Sequence, residues 1–345
     1  GSPMEDDTVP CFHCGQERRR VTLTRGTIIA DRYELLRVLG HGGMGSVYEV
    51  TDRYLEERLA LKVLSGSALP TSEASRRFRD EIRLARRIRH PNVCAIHEYG
   101  EVGDLQYIVM ELVRGLDLKQ ALAKRGPMPA EEAAALVGQI AAGLQAIHDA
   151  GVVHRDLKPA NIMLSESGPI RLMDFGIAKG FGEAGATTSG QVVGTPEYMS
   201  PEQAQGRILD ARSDVYALAI LTYELLTGDV PFKAPTVLAT IMLHVSGTPT
   251  FEHPALSPAI ADVLNRGLAK DPEERPASAV EFARQFEAAA RGQSLSESIP
   301  AAPTGAAAAE SRKVDSDSIP PPSPLALAPS KGPVSARTGL VAAAV

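Results

Sequence analysis

The sequence predicts an α+β chain in two lobes, a small β-rich lobe followed by a larger, mostly helical one. Three observations carry this. Short β-branched and aromatic runs crowd the first third, at residues 33–39, 46–51, 58–64, 93–99 and 107–111. A single helical stretch, 73–89, interrupts them. After Leu116 the apolar residues recur with the period of helices instead of strands.

Composition bounds the rest. The 345 residues suffice for one large domain or two of moderate size, and 44% hydrophobic residues permit a full core. The net charge of −6 argues against a nucleic-acid partner. Three cysteines are too few for a disulfide framework, which suggests a reducing compartment. The chain shows no signal peptide and no apolar run of spanning length. Residues 1–30 read as a cloning remnant, Gly1-Ser2-Pro3, plus a polar extension. Residues 31–292 have globular character, divided at 31–111 and 116–292. Residues 293–345, rich in Ala, Pro and Ser, bury too little apolar area to order themselves.

In chain order, the first element to justify is a hairpin. The stretch "LGHGGMGSVYEV", 39–50, places Gly40, Gly42 and Gly45 in the spacing G-x-G-x-x-G, with Gly43 between them. That spacing fits a dinucleotide turn or a loop over phosphates. A dinucleotide turn leads into a helix N-terminus that meets the pyrophosphate. Here the last glycine leads into Ser46-Val47-Tyr48-Glu49-Val50, which is strand-like and has no N-cap. Strand, glycine loop, strand can bring backbone N–H groups against phosphate oxygens, because glycine keeps no side chain in the way. Hairpins also carry glycines for turn geometry alone. Gly42 and Gly45 are the positions expected to tolerate a side chain least.

The next strand, "LALKVL", puts Ala60 and Lys62 on one face by its period of two. A small residue there can lie on a flat base and a cation can reach phosphates; a solvated edge lysine is the plainer alternative. Glu81, near the apolar Phe78, Ile82 and Leu84 of the following helix, is the carboxylate expected to hold Lys62. Arg77 or Arg83 of the same helix are its other candidate partners. The helix carries Arg76, Arg77, Arg79, Arg83, Arg86, Arg87 and Arg89, a solvated face or a set that reaches an acidic partner. Leu136, Val137, Ile140, Leu144 and Ile147 form an amphipathic stripe ending at Gly151. Residues 215–226 are apolar nearly all round, as in a central buried helix. Ser278-x-x-Glu281 reads as a capping box opening the last helix, which ends near Gly292.

The segment with most chemistry is "VVHRDLKPANIML", 152–164. Asp156, Lys158 and Asn161 put a carboxylate, a cation and an amide in one loop, and "LMDFGIA" brings Asp174 just beyond it. Carboxylate and amide oxygens are ligands for Mg²⁺. Singly, each residue could be a turn Asp or a capping Asn. Together with a phosphate loop and a strand lysine they supply what phosphoryl transfer requires.

These motifs resemble the serine/threonine protein kinases of the eukaryotic-like (Hanks) type found in bacteria, over residues 33–286. The resemblance rests on G-x-G-x-x-G-x-V at 40–47, Lys62, "HRDLKPAN" at 154–161, "DFG" at 174–176, "GTPEYMSPE" at 194–202, "SDVYAL" at 213–218 and Arg275. It implies the bilobal protein-kinase-like fold, with one regulatory helix in the small lobe and the ATP cleft between lobes. It implies catalytic roles for Asp156, Lys158, Lys62 and Glu81. Nucleotide contacts would come from Gly40, Gly42, Gly43, Gly45, Val47, Ala60, Met110, Glu111, Val113 and Asp117, and Mg²⁺ (or Mn²⁺) binding from Asn161 and Asp174. Thr195 would belong to the platform for a peptide substrate. Arg155 would pair with phosphate on Thr187, Thr188 or Ser189 of the activation loop. Glu202 with Arg275, and Asp214, would be structural. The strand motif L-A-L-K, where V-A-I-K is more usual, and Ser200-Pro201-Glu202, where A-P-E is more usual, are mild departures.

ATP, protein Ser/Thr substrates and a transient homodimer for trans-autophosphorylation are the implied partners. A pseudokinase scaffold is the competing class, and it typically lacks one of Lys62, Asp156 and Asp174. A small-molecule kinase would lack the segment at 194–202. Cys11-x-x-Cys14, with His13 between the cysteines, could be half of a zinc ribbon, but only Cys94 remains to extend it, so a complete zinc site within the chain is not expected. The basic Lys331 and Arg337 before "GLVAAAV" resemble the cytoplasmic side of a truncated transmembrane helix, and a natural alanine-rich terminus reads the same way. The location expected is cytoplasmic, alone or as the inner part of a membrane-anchored receptor.

Overall fold

Alternation along the strands explains how the small lobe is built. The structure, a computed structural model, describes residues 7–10, 17–20, 23–42, 45–64, 72–103, 105–166, 168–175 and 195–292. The chain divides into a unit 1–300 and a unit 301–345, and the second lies outside the described residues. Near the start, β1 (Asp7–Pro10) and β2 (Glu17–Arg20) pair antiparallel. Cys11 and Cys14, in their connection, lie outside the described residues.

Six strands form the main antiparallel sheet: β3 (Ile28–Ile29), β4 (Tyr33–Gly42), β5 (Gly45–Asp52), β6 (Glu57–Leu64), β7 (Ile96–Val102) and β8 (Leu105–Glu111), in the order β3-β4-β5-β6-β8-β7. In β6, Leu59, Leu61 and Val63 join Tyr33, Leu35, Tyr48, Val50, Tyr107 and Val109 in a core confined to this lobe. Ala60 and Leu64 face the other way, into the cluster with Phe78 and Ile82 of α1 (Ser72–Ala85). The period-two reading of Ala60 and Lys62 therefore holds, and it places Lys62 on the face that continues toward the helical lobe.

Two expected boundaries moved. The helix was expected to reach Arg89 and stops at Ala85. Arg87 N and Ile88 N bond to carbonyls three residues back, a tightened last turn. Pro91 then forces extended backbone before it. The strand expected from Val93 begins at Ile96. Val93 instead bridges to Leu172, and Cys94 N donates to Leu172 O at 2.9 Å. Local β propensity identified the right residues, but their partner is a distant segment.

The helical lobe begins with β9 (Gly115–Asp117) and α2 (Leu118–Arg125), capped by the Asp117 side chain, which accepts from Gln120 N at 2.7 Å. It continues through α3 (Ala130–Asp149), β10 (Ile162–Ser165) and β11 (Arg171–Leu172), with a small sheet in the order β11-β10-β9. After the loop come α4 (Pro201–Ala204), α5 (Ala211–Thr227), α6 (Val237–Ser246), α7 (Pro258–Gly267) and α8 (Ala279–Ala290). Val137, Ile140, Leu144 and Ile147 of α3 are buried, whereas Leu136 of the stripe is half-buried. Helix α5 is buried from Ser213 through Thr222, as its apolar composition predicts. The capping box at Ser278 is half-formed: Ser278 accepts from Glu281 N, but the Glu281 carboxylate takes Ala277 N instead of the N-cap amide. The complete box, unforeseen, is at Ser200 and Gln203.

Candidate active site

The loop after α3 gathers the reactive groups. Pro159 opens a single 3₁₀ turn, Pro159–Asn161, in place of a regular helix. The turn folds Asn161 back on Asp156: Asn161 Nδ2 donates to Asp156 O at 2.8 Å and to Asp156 Oδ2 at 3.0 Å. Lys158 Nζ lies 3.0 Å from Asp156 Oδ2 and donates to Thr195 Oγ1 at 3.1 Å. Carboxylate, ammonium, amide and the Thr195 hydroxyl thus meet at one point. Because Asn161 spends its amide hydrogens on Asp156, its carbonyl oxygen keeps its capacity to accept.

Met173 N donates to Asn161 O at 2.8 Å, which sets Asp174 beside this loop. Asp174 (φ 54°) and Arg155 (φ 65°) both adopt left-handed backbone. For non-glycine residues that conformation costs energy, and it concentrates at functional sites. Two oxygen donors of different type, Asn161 and Asp174, suit a hard divalent cation that keeps most of its waters. Phe175, after Asp174, is buried against the His154 ring, 6.3 Å between centroids.

From the sheet side, Lys62 Nζ reaches Asp174 Oδ1 at 2.6 Å. The register places Lys62 opposite Val47, and Ala60 opposite Met110. Val47, Leu112 and Val113 pack against the same cluster as buried Ala60 and Met110. Gly40 pairs with Val47, and Gly42 with Gly45, at the hairpin tip. A Cβ on Gly45, at φ 143°, would sit 1.8 Å from Val63 O, whereas one on Gly40 meets nothing within 4 Å. The demand for glycine at position 45 thus comes from the adjoining strand β6, not only from an approaching ligand. Gly43 and the loop residues Thr187, Thr188 and Ser189 lie outside the described residues.

One expected pairing is replaced. Glu81 does not hold Lys62: its Oε1 accepts from Arg155 Nη1 at 2.9 Å, while Lys62 takes Asp174. Glu81 Oε2 and Arg155 Nε are buried without partners among the described residues. Spacing along the chain could not decide which carboxylate each cation takes.

A buried frame holds the loop. Asp214 accepts from His154 N at 2.7 Å and Arg155 N at 2.9 Å, and contacts His148 Nε2 at 2.7 Å. Burial lowers the pKa of His154, and its Nδ1 accepts from Asp156 N at 3.3 Å, so the ring is neutral. Glu202 takes the forked Arg275 at 2.7 and 2.8 Å and accepts from Ser213 Oγ at 2.6 Å. Burial would raise the Glu202 carboxyl; Arg275 and Ser213 outweigh it and hold it below the ordinary range. Gln203 Nε2 donates to Arg155 O at 2.9 Å, tying α4 to the loop. Sequence reading missed Gln203, although S-x-x-Q before a helix is itself a capping signal. Tyr198, which donates to the Glu224 carboxylate, and the pair Arg171–Glu111 were also missed. Cys94 is buried, and burial pushes its thiol up, which disfavours the thiolate a zinc site needs; no cluster of three or more His, Cys, Asp or Glu side chains placed to hold a metal occurs among the described residues.

The chain matches the protein kinase domain family over residues 33–286. It is 36% identical over 275 residues to serine/threonine-protein kinase PrkC of Bacillus subtilis, covering 79% of this chain and 42% of that protein. It is 38% identical over 269 residues to PknB of Mycobacterium tuberculosis, covering 75% and 43%. The chain therefore spans less than half the length of these two relatives. Among solved structures, the M. tuberculosis PknI kinase domain aligns with a TM-score of 0.64 at 33% identity, covering 79% of this chain and all of that one. With the lobes, the catalytic loop and these likenesses together, the chain belongs to the protein kinase family, among the Hanks-type serine/threonine kinases of bacteria.

Proposed function

We propose that residues 31–292 form a kinase domain that transfers the γ-phosphoryl group of ATP to serine or threonine hydroxyls of proteins. The observation that carries this is the convergence of Asp156, Lys158, Asn161 and Thr195. Asp156 accepts the proton of the attacking hydroxyl as the oxygen–phosphorus bond forms and the bond to the ADP oxygen breaks. Lys158 neutralises the transferring group. Lys62 contacts the α- and β-phosphates, and the backbone at 111–113 meets the adenine within the wall formed by Val47, Ala60 and Met110, with Asp117 near the ribose. Asn161 and Asp174 would hold Mg²⁺, which supplies charge neutralisation at the phosphates when bound. Thr195, bonded to Lys158, would seat the hydroxyl-bearing residue.

The pairing of Glu81 with Arg155 supports a regulatory reading. Phosphate on Thr187 or Thr188 would compete for the Arg155 guanidinium, a strong charge-assisted pair. Glu81 would then be released to Lys62, and Lys62 drawn from Asp174. A transient homodimer for phosphorylation in trans, and a place at the cytoplasmic face of a membrane-anchored receptor, accord with this reading. The greater length of the relatives is consistent with such a setting. No helix among the described residues is long and apolar enough to cross a membrane.

Incubation with Mg-ATP, followed by mass spectrometry, tests both statements. Wild type should acquire phosphate, with sites at Thr187 or Thr188. Asp156→Asn should lose transfer by about a thousandfold or more while still binding nucleotide. Thr187→Ala/Thr188→Ala should lose loop phosphate and activity. Nucleotide binding without any phosphate on wild type would favour a scaffold, and full activity of the double alanine variant would refute the regulatory reading.

A further inference from the structure

Arg171 is a charged residue of β11 with no place in the chemistry above. Its Nε lies 3.1 and 3.3 Å from the two oxygens of the Glu111 carboxylate. Its Nη1 donates to Pro91 O and approaches Pro169 O at 3.4 Å. One guanidinium therefore touches the segment before β7, the end of β8 and the approach to its own strand. The pair is sheltered, with side-chain exposures of 16% and 32%, so it is screened less than a surface ion pair.

Its position gives this contact a meaning that packing alone does not. Glu111 ends β8, and its backbone is fixed as well: Glu111 N donates to Ala95 O at 2.9 Å, and its carboxylate takes Ala95 N at 3.3 Å. Arg171 is followed by Leu172, whose N donates to Asn92 O at 2.9 Å, and by Met173 and Asp174. The guanidinium thus connects the strand end that would meet adenine to the turn that would meet the phosphates. A nucleotide spans only a limited distance from base to phosphates, so both ends are best met near one separation, and misplacement is costly.

We propose that Arg171 is a positioning residue for the nucleotide, acting through Glu111 to fix the spacing between the adenine-contacting backbone and Asp174. The proposal rests on the kinase reading above. The fork is essential to it: a lysine keeps the charge but cannot hold a carboxylate and separate carbonyls in one plane.

The test measures autophosphorylation rate against ATP concentration, and ADP affinity by calorimetry, for wild type, Arg171→Gln, Arg171→Lys, Glu111→Gln and the double glutamine variant. Arg171→Gln and Glu111→Gln should each raise KM for ATP and Kd for ADP about fivefold, and Arg171→Gln should keep the saturated rate within about twofold of wild type. Arg171→Lys should fall between, and the double variant should be no worse than either single one. If Arg171→Gln folds poorly, Glu111→Gln carries the same readout, because glutamine can still accept from Ala95 N. Unchanged KM and Kd in the folded single variants, or additive losses in the double variant, would overturn the clamp alone. A wild-type protein that binds no ADP and transfers no phosphate would overturn the kinase reading and the clamp with it.

Discussion

At the scale of single residues, Gly45 shows how a correct reading can have an incomplete reason. The motif marked it as intolerant because a phosphate comes close. The structure adds a contact with Val63 O, together with backbone at φ 143°. Gly45→Ala should therefore destabilise the fold by about 1–3 kcal/mol, whereas Gly40→Ala, with open space around it, should change stability by under about 0.5 kcal/mol. Urea titration of the two variants checks this; equal effects would mean that the tip does not hold this geometry. Asp156, Lys158, Asn161 and Asp174 were legible because they are close in sequence and the required chemistry names their types. The partner of Glu81 was not, because Arg155 and Lys62 lie in different segments and only the folded geometry gives Arg155 to Glu81 and Lys62 to Asp174.

At the scale of elements, the faces of β6 and α1 followed from apolar period, while the end of α1 came from a tightened turn before Pro91 and the start of β7 from a long-range bond that period does not encode. The strand start at Ile96 depends on β11, a segment far along the chain. The pair Glu202–Arg275, foreseen as internal, fastens α4 to the segment before α8, and Arg275 Nη1 also reaches Arg212 O at 2.9 Å, just inside α5. Both side chains are nearly inaccessible. Removing one partner strands the other charge, so Arg275→Ala should cost about 3–5 kcal/mol. The loss should shrink at low pH, where the stranded Glu202 carboxyl can take a proton. Chemical denaturation at two pH values reads this directly, and a loss below about 1 kcal/mol would show that the pair does not fasten these elements.

At the scale of the whole molecule, buried neutral histidines set the acid limit. His244 is fully buried, its Nδ1 3.0 Å from the Tyr216 hydroxyl, and burial with the nearby Lys270 lowers its pKa from 6.5 to about 4. A depressed histidine contributes stability above its unfolded value near 6.5 and loses it as pH falls toward 4. Its share of the change between pH 7 and pH 5 is about 2 kcal/mol, and His154 acts in the same direction. Unfolding of wild type should thus become easier across that interval, and His244→Gln, although less stable at pH 7, should show a flatter dependence. Equal slopes would assign the acid limit to other groups. The two-lobed architecture was legible because it rests on composition and period over long windows. The way the lobes are joined was not, since it depends on a few backbone bonds.

Those bonds have a mechanical consequence. In chain order the lobes are joined once, just after Glu111. Among the described residues the backbone joins them a second time, because Asn92 and Cys94 are laced to Leu172 between α1 and β7. A single strap would let the small lobe swing and twist freely. Two attachments side by side act like the two hinges of a door: rotation about the line through them stays easy, while twisting across that line is resisted. Rotation about that line should therefore be the favoured way for the cleft to open, and a fragment cut at the chain crossing would lose the second attachment.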